Sequence, residues 1–128
     1  MLNTSKETND LTYRIRGCIF EVYRVLGPGL LESVYERALM IELARQGINA
    51  SNQVAIPVEY KGQSLGLDFR LDILVEDEVI LELKSVEKLL PVHFKQVDTY
   101  LKLTGKKLGY LVNFNTSAIQ SDIYRRIN

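Results

Sequence analysis

The 128-residue sequence has one cysteine, one histidine and no tryptophan, and no excess charge of either sign. Cys18, standing alone, cannot form an intramolecular disulfide, and with a single histidine there is no Cys/His set at zinc spacing. A disulfide scaffold and a structural zinc site are excluded. Lys plus Arg and Asp plus Glu each number 16, so no global positive field drives nonspecific binding to nucleic acid. Any such binding must come from a local patch. No stretch approaches the roughly 20 apolar residues of a membrane span, and the opening MLNTSKETNDL has no apolar run of signal-peptide length. A cytoplasmic, reducing setting with no membrane partner is the expectation.

Hydrophobic residues make up 46% and charged residues 25%, the usage of an ordinary globular chain rather than a disordered or collagen-like one. The length suits one core and is too short for two. Residues 1–9 are expected to be a flexible start and 10–128 a single domain. Asn9 or Asp10 can cap a helix whose apolar stripe is Leu11, Ile15, Cys18, Ile19, Val22, Val25 and Leu26. Gly27-Pro28-Gly29 interrupts it. A second stripe runs Leu30, Leu31, Val34, Tyr35, Ala38, Leu39 and Leu43, and Gly47 is placed to end it. Alternation at Val54, Ile56 and Val58, a Lys61-Gly62 turn, an apolar run from Leu65 to Val75, an acidic turn at 76–78 and the segment Val79–Lys84 read as three hairpin-linked strands. Pro91 can open a helix that Gly105 closes, and Leu108 to Phe114 reads as another strand. The order is ααβββαβ. Residues 117–128 fit a helix through Ile119, Ile123 and Ile127, or a strand through Ile123, Arg125 and Ile127.

Glu82 and Lys84 are two apart in a strand and share a face, and pairing through the acidic turn brings Asp72 near them. Hard cations such as Mg²⁺ are commonly held by one or two carboxylates with retained water and substrate phosphates, a task that Asp72 and Glu82 fit. Two neighbouring carboxylates favour the charged form of Lys84, which makes it a positioner and charge neutraliser rather than a resting base. A solvated sheet face with a cross-strand ion pair shows the same spacing. Glu32 can serve such a site or merely sit in a helix's first turn, where the macrodipole favours an anion. His93, Gln96 and Tyr100 line one helix face. Tyr35 reads as a core tyrosine, and Arg70 as an ordinary salt-bridge partner that could also pair with Asp72 or touch phosphate. The segment Lys84–Lys107 carries six lysines against two acids, whereas Glu59–Glu82 carries seven acids against Lys61 and Arg70. The arrangement suits an acidic metal pocket beside a basic flank that could track a phosphate backbone, and an ordinary mixed surface shows the same unevenness.

Gly29-Leu30-Leu31-Glu32-Ser33-Val34-Tyr35 reads as a GxxExxY signature, and from Leu11 onward the chain resembles the small prokaryotic GxxExxY protein family. The likeness extends through Phe69-Arg70-Leu71-Asp72, Glu82-Leu83-Lys84-Ser85-Val86, Pro91-Val92-His93, Gln96, the segment Thr99 to Gly105, and Val112-Asn113-Phe114-Asn115. That family is placed in the PD-(D/E)xK nuclease-like superfamily. The resemblance implies an α/β (mixed α+β) fold, with a restriction-endonuclease-like αβββαβ core, an extra N-terminal helix, and a central mixed sheet flanked by helices. It implies a divalent-metal-dependent nuclease using Mg²⁺ or Mn²⁺ and acting on DNA or RNA. Asp72 and Glu82 are then the metal ligands, Glu82 and Lys84 the (D/E)xK pair, and Glu32 and Gln96 supporting site residues. Leu71 stands where the superfamily pattern has proline. Superfamily members also include catalytically inert modules that bind nucleic acid or protein, and small nucleases of this kind often form homodimers.

Overall fold

The computed structural model describes residues 6–128. Two helices come first, α1 (Lys6–Leu26) and α2 (Glu32–Arg45), followed by strands β1 (Ala50–Tyr60), β2 (Gln63–Val75) and β3 (Val79–Lys84). Then come α3 (Pro91–Thr104), β4 (Leu108–Asn113), a 3₁₀ turn (Ile119–Ser121) and β5 (Ile123–Ile127). The first helix starts earlier than the Asn9 or Asp10 cap foresees. Residues 1–5 of the expected flexible start lie outside the described residues, and Lys6–Asn9 are already helical. The open question over the last residues resolves as a 3₁₀ turn and a strand, because Ile123 to Ile127 find an edge to pair with on β4.

The strands lie in the order β1-β2-β3-β4-β5, antiparallel except for β3 and β4, which α3 links as a parallel pair. This is the expected mixed sheet flanked by helices. Alternation along β3 sorts its side chains. Val79, Leu81 and Leu83 join Ile15, Ile19, Tyr35, Leu39 and Phe114 in the larger core under α1 and α2. Ile80 joins Val97, Tyr100, Leu101 and Leu111 under α3. Both faces of β3 and β4 are covered, so both read as almost unbroken apolar runs.

Local chemistry explains the helix ends. Gly105 closes α3 with φ 70°, a left-handed conformation that glycine adopts without strain, and its N–H donates to the Leu101 carbonyl at 2.9 Å. Pro91 occupies the first turn of α3, where its missing N–H costs nothing. His93 Nδ1 accepts the Leu90 N–H at 3.0 Å, so this side chain serves the start of α3. α2 begins at Glu32 with no side-chain cap on Leu31, so Gly29 lies before the cap rather than on it. Its start is pinned by Tyr35, which is fully buried and stacked on Phe114 at 4.3 Å. The Tyr35 hydroxyl accepts the Leu30 N–H at 3.1 Å and donates to the Gly27 carbonyl. Tyr35 is therefore a core residue that holds the Gly27–Leu31 turn in shape.

Candidate carboxylate site

The site lies where β2 leaves β3. The two strands pair only from Ile73–Leu81 to Val75–Val79, and beyond that point side chains take over the backbone ladder. The Asp72 N–H donates to Glu82 Oε2 at 2.7 Å, and the Leu83 N–H donates to Asp72 Oδ2 at 2.8 Å. On the other side of β2, pairing with β1 passes from Asn52–Ile73 to Val54–Leu71 and skips Gln53, whose φ is 51°. β3 thus releases β2 at Asp72, whereas β1 keeps the same register on either side of Gln53 and stays paired with β2 as far as Tyr60–Gln63. Leu71 turns into the α3-side core although Ile73, two residues on, belongs to the other. The side chains of β2 therefore do not alternate strictly between its faces at this point.

Glu82 is only 2% exposed, and a carboxylate so placed is costly as an isolated charge. Burial, and then the Asp72 carboxylate, push Glu82 up to about 8. Asp72 is also raised, by burial first and by Glu36 and Glu32, while the Leu83 N–H and Lys84 oppose the rise. Lys84 is half-buried and bears on both acids electrostatically. Among the described residues it forms no ion pair with either. Acids so raised are candidates for function.

Glu32 is the first residue of α2 and accepts the Ser85 N–H at 3.4 Å, one residue beyond Lys84. It shares a cleft of about 370 Å³ with Asp72, Glu36, Gln53 and Leu83. Glu32 thus occupies the favourable helix start and also lines the cleft beside Asp72. Gln96 lies on the α3 side, where its Nε2 donates to the Tyr100 hydroxyl at 3.0 Å. Burial first, and then the Glu82 charge, raise the Tyr100 hydroxyl, so Gln96 meets the acids through Tyr100. Arg70 donates to the Gln53 carbonyl at 3.1 Å instead of pairing with Asp72. The charge asymmetry is partly spent locally: Lys106 pairs with Asp77 at 3.1 Å and Asp98 with Arg126 at 2.6 Å.

Two contributors escaped the sequence reading. Glu36 follows Glu32 by one helical turn, a spacing that could have flagged it, and is held by Asn52 Nδ2 at 3.0 Å and Gln53 Nε2 at 2.7 Å. Asn113 is buried opposite Lys84 in the parallel pair. Its amide accepts the Val86 N–H at 3.1 Å and donates to the Val86 carbonyl at 3.0 Å, fixing the chain just after Lys84. The larger cleft between α1 and α2, about 580 Å³, contains none of these residues.

A mixed five-stranded sheet with helices on both faces, carrying two acids and a lysine at a strand split, is the arrangement of a restriction-endonuclease-like domain. The model of the PD-(D/E)XK nuclease superfamily matches residues 9–127, and the chain belongs to that superfamily. No curated protein and no solved structure is matched. Among the described residues no helix is long and apolar enough to cross a membrane.

Proposed function

We propose that the protein is a divalent-metal-dependent nuclease that hydrolyses phosphodiester bonds, with Asp72 and Glu82 holding Mg²⁺ or Mn²⁺. The carrying observation is the split at Asp72, which brings together two hard oxygen donors from neighbouring strands, Asp72 lining the cleft and Glu82 buried beside it. Such donors suit a hard cation that keeps part of its water shell. When bound, the cation supplies Lewis-acid polarisation of a phosphate and lowers the pKa of a water. Lys84 offsets charge on the attacked phosphate and orients the attacking water. Glu32 adds negative charge from the α2 side, and Gln96 orients the Tyr100 hydroxyl from the α3 side. The finer assignment to the GxxExxY family rests on Gly29, Glu32 and Tyr35, which respectively shape a turn, face Asp72 and pin that turn.

A second reading is a catalytically inert module of the same fold that binds nucleic acid or a protein partner. It is favoured by one observation: both acids already have a structural task, since Glu82 accepts the Asp72 N–H and Asp72 accepts the Leu83 N–H. One experiment separates the two. Cleavage of labelled single-stranded, duplex and branched DNA and RNA is measured with Mg²⁺ and Mn²⁺ for the wild type, Asp72→Ala and Lys84→Ala, each checked for folding by circular dichroism. The nuclease reading expects both variants to lose at least about 100-fold in rate. Equal cleavage by wild type and variants, or none by any of them, gives the site to the inert module.

A further inference from the structure

Beyond the split at Asp72, β1 and β2 continue as a two-stranded arm that β3 does not follow, and α3 covers only its base, where Ile56 is buried and Phe69 meets Tyr100. Residues 63–70 of β2 are exposed throughout, and they include Leu65 at 50%, Leu67 at 64% and Phe69 at 39%, with Tyr60 at 62% across the turn. A two-stranded ribbon is marginal in water without an apolar partner, and this one leaves large apolar side chains in solvent. We propose that the arm holds an unpaired nucleic-acid strand, with the Phe69 ring as the base-stacking surface nearest Asp72. The inference rests on the nuclease reading and names its substrate class.

Three observations select this occupant. First, the arm is continuous with the carboxylates. Phe69 is three residues from Asp72, and its ring leans on Tyr100 at 5.7 Å and 56°, while the Tyr100 hydroxyl is bound by Gln96. A strand lying along the arm is thus led to the acids. Second, the arm's charges cancel, with Glu59 and Asp68 against Lys61 and Arg70. Such a surface gives little grip on the phosphates that a duplex presents outward, whereas unpaired bases offer apolar π-faces to aromatic side chains. Third, the arm's edges are blunted against pairing with another strand. Pro57 and a register shift interrupt β1, and Gly66 takes φ 69° in β2. A second copy adding by strand pairing meets those breaks, so the arm presents its faces and not its edges.

The test is binding in EDTA, where no cleavage interferes, read by fluorescence anisotropy with short labelled single strands of DNA and RNA. The matching duplexes and an abasic single strand complete the panel. The wild type is expected to bind the base-bearing single strand more tightly than the duplex or the abasic strand. Phe69→Leu keeps apolar packing on Tyr100 but removes the ring, and is expected to weaken single-strand binding about 5- to 100-fold while leaving the abasic strand unaffected. Phe69→Tyr is expected to restore it. Equal affinity for duplex and single strand, unchanged binding by Phe69→Leu, or no binding at all overturns the inference. So does a dimer in sedimentation that Phe69→Leu converts to monomer, since it gives the arm to a second copy. Duplex cleavage as fast as single-strand cleavage overturns this inference and leaves the nuclease reading standing. Absence of all cleavage overturns the nuclease reading whatever the anisotropy shows.

Discussion

β3 and the outer half of β2 each break the ordinary rule of burial, in opposite directions. β3 is sealed on both faces, and its one carboxylate, Glu82, is buried among Ile80, Leu81 and Leu83. The arm of β2 is open, and its apolar side chains Leu65, Leu67 and Phe69 stand in water. A single chain tolerates both departures because they meet at Asp72. There the ladder between β2 and β3 ends, and backbone groups that would have paired across it bind carboxylates instead. A buried carboxyl group and an exposed apolar run each cost stability.

The contrast can be broken most forcefully on its buried side. Leu81→Ala, at a fully buried position where the ladder between β2 and β3 ends, is expected to cost about 2–5 kcal/mol in urea unfolding through lost transfer energy and an unfilled cavity. A loss under about 1 kcal/mol would mean that the two-sided cover of β3 is loose.

The charge in that sealed strand sharpens the comparison through pH. Burial and Asp72 push Glu82 up to about 8, above its ordinary value of 4.5. The folded chain therefore holds a proton that the unfolded chain releases, and this group's stabilising contribution, full below about 4.5, is lost as pH rises through about 8. Thermal unfolding in EDTA should show the metal-free protein losing stability over that window, and Glu82→Gln should flatten the slope. Mn²⁺ binding at pH 7 should release protons, which calorimetry in buffers of different ionisation enthalpy reads directly. An unchanged slope in Glu82→Gln would assign the titration to another group.

The smallest effect belongs to the open side. Leu67→Ser is expected to change stability by no more than about 0.5 kcal/mol, because the side chain has little burial to lose. A cost approaching that of Leu81→Ala would show that the arm is covered in solution.

Much of this was legible from residue order. The two amphipathic helices, the turns at Gly27-Pro28-Gly29 and Lys61-Gly62, the Pro91 start and the Gly105 stop all follow from local chemistry that a neighbour or two settles. Asp72, Glu82 and Lys84 could be singled out because polar side chains in an apolar strand run are conspicuous. The parts that stayed hidden depend on distant neighbours. The final strand could not be told from a helix without β4 beside it. The roles of Glu36 and Asn113 depend on Gln53, Asp72 and Val86, which lie far away along the chain.

The sequence by itself determined the element order as far as β4, the two apolar helix stripes and which residue types could bind a hard cation, since these follow from periodicity, turn chemistry and side-chain oxygen donors. Only the tertiary structure decided that β2 parts from β3 at Asp72, that Glu82 is buried with its pKa pushed well above the ordinary carboxylate range, and that β2 beyond that point stays exposed. Burial and strand separation are properties of what packs against a residue, and that is a matter of long-range contact which residue order alone does not display.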